Sequence, residues 1–317
     1  MQSYDVYFAQ RQHARNPNNQ LKEATFGMNL EMNMLKKRFE KNIILNDISL
    51  ALDPGVYGLL GANGSGKTTL MRIICGVIQA DEGSIYYDGK NTKEEPDSFR
   101  SILGFLPQDF RYYPEFTGLK FMLYIAALKG LDKNQAIKKC DELLQLVGLE
   151  DVKNKKVKKY SGGMKQRLGI AQAMINDPEV LILDEPTVGL DPKERVRFRN
   201  LISSFSKEKI VILSTHIVSD VEYIADEILI LHNGRIENRG PSTELVKEIE
   251  GHVWECSLQP SLVDEVLANY TISNQKHESE KMVLRIISKE KPLEHATMTQ
   301  PTLEDLYLYY LKEEPGK

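Results

Sequence analysis

The sequence lacks a long apolar run. None of its uninterrupted apolar stretches approaches the roughly 18 residues that a membrane-spanning helix needs. The N-terminal segment MQSYDVYFAQRQHARNPNNQ also lacks the apolar core of a signal peptide. These two absences predict a soluble chain that does not cross a membrane by itself and that stays in the compartment where it is made.

The sequence also has few cysteines and no excess of basic residues. The three cysteines, Cys75, Cys140 and Cys256, are odd in number and lack metal-ligand spacing. They predict reduced packing residues of a cytoplasmic protein. The net charge is −4 and the isoelectric point is about 6.0, so no basic field indicates a nucleic-acid partner.

The patterning of the chain predicts three parts. Residues 1–27 are polar, rich in Asn and Gln, and without sustained periodicity, which favours a mostly disordered extension over a helix before the first strand. Residues 28–240 alternate strand-like and helix-like segments and predict an α/β domain. Residues 241–317 combine three helix-like stretches with one strand-like stretch and one hairpin-like region, and predict a small α+β domain.

Short apolar runs predict the strands of the α/β part. NIILNDISLAL and GVYGLLG precede a glycine loop, while EVLILDEP and KIVILST are typical of parallel strands buried on both faces. EILILHNGRIENRG predicts a hairpin that turns at Asn233 and Gly234. The region from Phe110 to about Lys159 is helical in pattern. Apolar residues at helical spacing predict three helices, with the stripes Leu70, Ile73, Ile74 and Val77; Ile137, Cys140, Leu144 and Val147; and Phe198, Leu201, Ile202 and Phe205.

The loop GANGSGKTT matches the GxxxxGK[ST] pattern of a phosphate-binding loop between a strand and a helix. Its backbone amides would cradle phosphates, Lys67 would reach the β and γ oxygens, and the Thr68 hydroxyl would bind Mg²⁺. The candidate nucleotide-binding residues of the loop are Gly61, Asn63, Gly64, Ser65, Gly66, Lys67, Thr68 and Thr69.

Two adjacent acids close the apolar run VLILDEP. Asp184 would hold Mg²⁺ at the end of the strand, and Glu185 would orient or deprotonate an attacking water. A pair of acids after a strand can also cap a helix. Together with the phosphate loop, however, this pair predicts hydrolysis of ATP or GTP and not binding alone.

A second anion-binding device occurs in YSGGMKQRL. Its serine and two glycines precede a helix-forming run, and a helix N-terminus carries partial positive charge. The chain therefore carries two devices suited to the same ligand.

The order of six motifs resembles the ATPase subunit of an ABC transporter over about residues 28–240. These motifs are the phosphate loop, LPQ with Gln108, SGG with Ser161, LDEP, GLD with Asp191 and STH with His216. The stretches PEFTGLKFMLYIAALKG, SGGM and PTLEDLYLYYL resemble the drug-resistance and type 2 exporter branch. The resemblance implies a P-loop ABC ATPase fold, with a mixed sheet core and a helical subdomain over about residues 110–175.

The resemblance also implies roles for individual residues. Gln108 would contact Mg²⁺ and the attacking water and link the site to a membrane partner, while His216 would hold the γ-phosphate. Phe39 would stack on adenine, with an ordinary strand aromatic as the alternative. Asp191 would lie at a dimer seam.

In this family the signature of one subunit covers the ATP held by another, so the resemblance implies a head-to-tail dimer around two ATP molecules. Ser161, Gly162 and Gly163 would face the phosphates of the partner's nucleotide. Met164 stands where Gln is commonest; Met lacks the hydrogen bonds of Gln, but the phosphate-facing atoms are unaffected.

We therefore expect an ATP-hydrolysing motor of a membrane exporter, with ATP and Mg²⁺ as cofactors. Its partners would be a transmembrane permease subunit at the cytoplasmic face of the membrane and a second ATP-binding subunit, identical or different, but not nucleic acid. An importer subunit and a soluble non-transport ABC ATPase are the alternatives. The short interval from Lys67 to Ser161 leaves no room for the coiled-coil arms of DNA-repair ATPases.

Overall fold

The computed structural model describes residues 28–312. The predicted disordered extension over residues 1–27 lies outside this range. Within it, no helix combines the length and apolar character that crossing a bilayer requires.

An antiparallel sheet of four strands opens the described chain, and the sequence patterns did not reveal it as a separate layer. The turn at residues 40–41 joins its first two strands, and β-bulges interrupt their register. In chain order its strands are β1 (Leu30–Phe39), β2 (Asn42–Leu52), β4 (Glu82–Tyr87) and β5 (Lys90–Asn91), and in space the order is β2-β1-β4-β5.

A second sheet of six strands forms the centre of the molecule. Its strands are β3 (Gly55–Leu60), β6 (Leu103–Leu106), β7 (Val180–Asp184), β8 (Ile210–Ser214), β9 (Glu227–His232) and β10 (Arg235–Gly240), in the spatial order β10-β9-β3-β8-β7-β6. All neighbours pair in parallel except β9 and β10. Every residue of β7 and β8 is buried, which confirms the prediction of parallel strands covered on both faces.

The predicted hairpin is also confirmed. Strands β9 and β10 pair antiparallel, and Asn233 and Gly234 connect them with φ angles of 47° and 74°. Two successive positive φ angles are what a tight hairpin turn requires, and Asn and Gly adopt them at little cost.

Helices cover the six-stranded sheet. They are α1 (Lys67–Ile74), α2 (Pro96–Ser101), α3 (Gly118–Leu128), α4 (Lys133–Leu146), α5 (Gly162–Ala173), α6 (Pro192–Phe205) and α7 (Val218–Ile224). One large hydrophobic cluster joins the sheet to α3–α7, and a second fills the space between the two sheets and α1.

Each of two predicted apolar stripes includes one residue that is exposed in the structure. Helix α1 ends at Ile74 because Gly76, with φ of 65°, turns the chain, so Val77 is 59% exposed. In α4 the buried face includes Ala136 and Leu143, whereas Ile137 is 42% exposed on the other side. The helical pattern from Phe110 to Lys159 is confined mainly to α3 and α4, with two short 3₁₀ turns after them.

A third sheet lies beyond Pro241 and has its own small hydrophobic cluster. Its antiparallel strands are β11 (Val253–Leu258), β12 (Thr271–Glu278), β13 (Lys281–Ile287) and β14 (Thr297–Met298). The helices of this region are α8 (Ser242–Leu245), α9 (Val263–Asn269) and α10 (Leu303–Lys312). The last helix also packs against the α/β part, because Leu303 and Leu306 are fully buried in its large hydrophobic cluster.

Candidate active site

The phosphate loop connects β3 to α1 and depends on glycine for its path. Gly64 and Gly66 have φ angles of 85° and 107°, in the region that side chains disfavour. A Cβ on Gly66 would also lie 2.9 Å from the Ile44 carbonyl oxygen. The loop therefore turns its backbone as the predicted motif requires.

Lys67 begins α1 and is buried, with 7% of its surface exposed. Its Nζ donates to the carbonyl oxygens of Gly61 at 2.6 Å and Ala62 at 3.0 Å. Burial lowers the pKa of Lys67, while the carboxylates of Glu185 and Asp184 oppose that shift. The ammonium group thus lies within the electrostatic reach of both acids, and two backbone carbonyls of the phosphate loop accept hydrogen bonds from it.

Asp184 ends β7 in the interior, with 1% of its surface exposed. The Ser214 hydroxyl, on the neighbouring strand, donates to its Oδ1 at 2.6 Å. Its Oδ2 is buried and has no hydrogen-bond partner among the described residues. A buried carboxylate oxygen without a donor is costly unless a cation satisfies it, so the residues present fit a Mg²⁺ ion held by this acid.

The donor set around this acid is sparse. Residues 28–312 contain no group of three or more His, Cys, Asp or Glu side chains that would hold a metal ion alone. Mg²⁺ is typically bound through one or two carboxylates, waters and nucleotide phosphates. A single buried carboxylate with the Ser214 hydroxyl beside it matches that type of site.

Glu185 follows Asp184 in an unusual backbone conformation, with φ of 54°. Its amide donates to the Ser214 carbonyl at 3.2 Å and hydroxyl at 3.1 Å, which holds the strained turn in place. Its side chain is buried, and Oε2 lies 2.9 Å from Nδ1 of His216. His216 is half-exposed. Its contact with Glu185 therefore orients the Glu185 carboxylate at the rim of the site.

Gln108 and Phe39 are both exposed. Gln108 lies in a bend just after β6, whose Leu106 pairs with Leu183 of β7, so Gln108 leaves the same edge of the sheet as Asp184. Phe39 ends β1 on the other sheet, with its ring 48% exposed and Lys37 Nζ 5.3 Å from the ring centroid.

The signature segment forms the start of α5. Ser161 is its N-cap and accepts a hydrogen bond from the Met164 amide at 3.2 Å. Gly162 faces open space, since an added Cβ would meet no described atom within 4 Å. At Gly163 a Cβ would lie 2.4 Å from a Glu194 carboxylate oxygen, so close helix packing requires glycine at that position.

Asp191 and Glu194 connect α6 to this segment. The two residues form a capping box at the start of α6, in which Asp191 accepts from the Glu194 amide at 2.8 Å. Glu194 also pairs with Arg167 of α5 at 2.9 Å. The signature helix and the loop that carries Asp191 are therefore held together within one chain.

The predicted residues fall into two groups. Lys67, Asp184, Glu185 and His216 interact with one another, and Gln108 follows the adjacent strand. The signature, by contrast, is exposed at Ser161 and Gly162, and the Ser161 hydroxyl accepts from its own helix. The two anion-binding devices are thus on separate elements.

Gln166 was not among the predicted site residues. Its Nε2 donates to the carbonyl oxygens of Glu185 at 3.3 Å and Pro186 at 3.0 Å, which links the signature helix to the backbone of the candidate base. The only sequence signal for a role of Gln166 was its position about one helical turn after Gly162. Ser214 was missed as well, although it is the serine of the predicted STH motif.

Comparison with known proteins gives one family. The model of the ABC transporter family matches residues 45–188. YxlF, an uncharacterised ABC transporter ATP-binding protein of Bacillus subtilis, is 33% identical over 234 residues, covering 74% of this chain and 78% of the relative. The linearmycin resistance ATP-binding protein LnrL of Bacillus subtilis is 34% identical, covering 70% of this chain and 72% of LnrL. The bacitracin transport ATP-binding protein BcrA of Bacillus licheniformis is 40% identical, covering 61% and 62%.

Solved structures agree with these relatives. The dimeric structure of MJ0796, described as a bacterial ABC transporter cassette, superposes with a TM-score of 0.62 at 26% identity and covers 67% of this chain and 98% of that one. A further dimeric structure of MJ0796 represents a post-hydrolysis state bound to ADP and phosphate, with the same TM-score of 0.62. These similarities confirm the predicted fold class, a P-loop ABC ATPase with a mixed sheet core. The chain therefore belongs to the ATP-binding subunits of ABC transporters, and it is an ABC-type ATPase that uses ATP.

Proposed function

We propose that this chain is the motor subunit of a membrane exporter, which dimerises head-to-tail around two Mg-ATP molecules and drives a separate transmembrane subunit. The observation that carries the proposal is the pair formed by Glu185 and His216, 2.9 Å apart. Glu185 follows the end of β7 and lies within electrostatic reach of the buried Lys67.

Glu185 is the general base in this proposal. A base must hold a fixed orientation towards the proton that it removes, and the contacts with Ser214 and His216 fix Glu185 at both its backbone and its side chain. Lys67 would exchange its two carbonyl ligands for phosphate oxygens of ATP. His216 would bind the γ-phosphate with the face that remains exposed.

Thr68, Gln108 and Asp184 would hold Mg²⁺, and the buried Asp184 Oδ2 without a donor supports this assignment. The ion would neutralise charge on the β- and γ-phosphates when it is bound. Phe39 would stack on the adenine ring, and its exposure at the end of β1 is compatible with that role.

The exposed signature supports a dimer in which each chain completes the partner's site. Ser161 and the backbone of Gly162 and Gly163 would face the γ-phosphate of the ATP bound to the other chain. Asp191, exposed at the start of α6, would lie at the seam. The partner is a second copy of this chain or a different ATP-binding subunit.

A group of aromatic side chains, two of which follow Gln108 closely in sequence, supports contact with a membrane subunit. This aromatic patch consists of Tyr113, Phe116 and Tyr124, whose ring centroids lie within 6.0 Å of one another. Tyr113 and Tyr124 are 49% and 37% exposed. Exposed aromatic rings are typical of binding surfaces for amphipathic helices, so we assign this patch to an intracellular helix of the permease at the cytoplasmic face.

The exporter assignment rests on the relatives. One relative is named for Nod factor export, and others are named for linearmycin resistance and bacitracin transport, which supports export as the direction for this chain. The exporter-like stretches of the sequence favour the same direction.

Co-purification with the membrane protein encoded beside this chain tests the assignment. The variant carrying Tyr113→Glu and Tyr124→Glu should lose the membrane protein, because a buried contact cannot accommodate two unpaired carboxylates. ATP binding should be unchanged. Tyr223→Glu is the matched control, since Tyr223 is 73% exposed on α7 beside Arg199 and should leave the complex intact. Loss of the complex in the control, or its persistence in the double variant, would refute docking at the patch.

A further inference from the structure

The last helix lies in two parts of the molecule at once. Leu303 and Leu306 are buried in the large hydrophobic cluster of the α/β part. Helix α10 also packs against α7, which begins just after His216, and against β12 of the third sheet. The helix therefore contacts both the third sheet and the part of the molecule that carries the candidate nucleotide site.

The start of α10 is fixed to the third sheet by a buried acid. Asp305 is fully buried, and its two carboxylate oxygens each accept from Arg285 Nε of β13 at 3.0 Å. The Thr302 hydroxyl donates to Asp305 Oδ2 at 2.7 Å and accepts from the Asp305 amide at 3.3 Å. This reciprocal cap and ion pair leave the helix little freedom to shift.

Tyr307, one turn after Leu303, reaches the phosphate loop. Its hydroxyl donates to the Gly61 carbonyl oxygen at 3.3 Å, the same oxygen that accepts from Lys67 Nζ at 2.6 Å. Burial and the charge of Glu185 raise the pKa of Tyr307, so its hydroxyl keeps its proton at neutral pH. Gly61 itself is buried, and a Cβ there would lie 2.4 Å from the Leu231 carbonyl oxygen.

The shared oxygen has two donors in the structure, Lys67 Nζ and the Tyr307 hydroxyl. When ATP binds, Lys67 would direct N–H donors to the phosphates, and sharing its three donors in this way would weaken its bond to the Gly61 carbonyl. A buried carbonyl that loses its donor costs free energy. Tyr307 remains bonded to this oxygen and lowers that cost.

We propose that Tyr307 is a positioning residue for nucleotide binding: it satisfies the Gly61 carbonyl when Lys67 turns to ATP, and it thereby couples the third sheet to the phosphate loop. The proposal rests on the phosphate loop as the ATP site and goes beyond the transport function. By linkage, a partner that moves the third sheet changes the affinity for ATP, and ATP changes the affinity for that partner by the same factor.

The variant Tyr307→Phe tests the proposal, because it removes one hydroxyl and keeps the ring that packs in the core. The full chain is titrated with a fluorescent ATP analogue, and the melting temperature is measured without nucleotide. Without nucleotide, Lys67 still satisfies Gly61, so the melting temperature should stay within about 2 °C, a shift well below that of a lost core contact. The dissociation constant should rise about 2- to 10-fold, the range of one net hydrogen bond.

Tyr309→Phe is the matched control. Tyr309 lies on the same helix, its ring centroid 6.1 Å from that of His252, and its hydroxyl has no hydrogen bond to any residue within 28–312. This variant should bind the analogue as the parent does. An unchanged dissociation constant in Tyr307→Phe, or an equal rise in Tyr309→Phe, would overturn the proposal. Failure of the parent chain to bind the analogue would instead contradict the ATP site itself.

Discussion

At the scale of single residues, the candidate active site contains a carboxylate that the fold holds in a strained position. Glu185 has a positive φ angle, and its amide and side chain are tied to Ser214 and His216. Strain of this kind costs of order 1–3 kcal/mol and persists where the surrounding structure enforces it. Its occurrence at the proposed base is consistent with a functional constraint on that residue.

We expect Glu185→Gln to lower ATP turnover by about 10² to 10⁴, the usual contribution of a general base. Nucleotide binding should survive, because Lys67 and the loop amides are intact. Turnover is measured by phosphate release, and binding by nucleotide titration. Glu290→Gln, at an exposed position after β13, serves as the control. Turnover at the parental rate in Glu185→Gln would show that another group is the base.

A second residue-scale prediction concerns Gln166, which donates to two backbone carbonyls next to the base. Gln166→Glu keeps the size of the side chain but removes the amide donor and adds like charge near Glu185. We expect turnover to fall by about 10-fold, equivalent to one or two hydrogen bonds, with little change in nucleotide affinity. Equal losses of affinity and turnover would indicate a general disturbance of the loop instead of a role in positioning the base.

At the scale of elements, α10 depends on the buried ion pair between Asp305 and Arg285. Removing one partner leaves the other buried and unpaired, so Asp305→Asn should lower the free energy of unfolding by about 3 kcal/mol, measured by urea denaturation. Arg285→Met should have a similar cost. If the ion pair is the cause, the double variant will lose much less than the sum of the two.

The same ion pair predicts a dependence on pH. Burial opposes ionisation of Asp305, but hydrogen bonds from Arg285, Ser273 and Thr302 outweigh it and hold the pKa below the ordinary value of 3.8. A lowered folded-state pKa stabilises the protein above the unfolded pKa, and this contribution is lost as the pH falls through the folded pKa. Below about pH 4, the parent should therefore lose stability relative to Asp305→Asn. A constant difference between the two across this range would contradict the assignment.

At the scale of the whole molecule, the proposed head-to-tail dimer brings the two anion-binding devices together from two chains. Two populations would be mixed, one carrying Asn63→Cys and the other Ser161→Cys, both with Glu185→Gln to retain ATP. The native cysteines are buried and can remain. Since Asn63 and Ser161 are exposed, a short thiol crosslinker should join the two chains when ATP is present, and each population alone should give far less product.

The outcome distinguishes the head-to-tail dimer from its alternatives. Crosslinking that is equally efficient without ATP would contradict a nucleotide-dependent dimer. A chain that carries both cysteines and links them internally at high dilution would show that the signature serves its own phosphate loop. The experiment is performed in the assembled transporter, where a different ATP-binding subunit would be detected as a crosslink to that subunit.

Local patterns predicted much of the fold and the candidate site. The buried strands β7 and β8, the hairpin at Asn233 and the phosphate loop all follow from residues adjacent in sequence, because strand burial, turn geometry and glycine freedom are local properties. The two errors in the predicted helical stripes also concern local structure. The predicted stripe to Val77 ignored the stop at Gly76. Ile137 was assigned to the buried stripe of α4, but the packed face includes Ala136 and Leu143 and leaves Ile137 exposed at its margin.

The sequence by itself determined which groups are candidates for binding and hydrolysing ATP, since Lys67, Asp184 and Glu185 belong to motifs of a few residues. Only the tertiary structure decided how these groups are held. Ser214 is 29 positions from Glu185, and Tyr307 is 246 positions from Gly61. Contacts across such separations depend on the order of strands in the sheet and on where the last helix returns, and no local pattern of residues encodes either one.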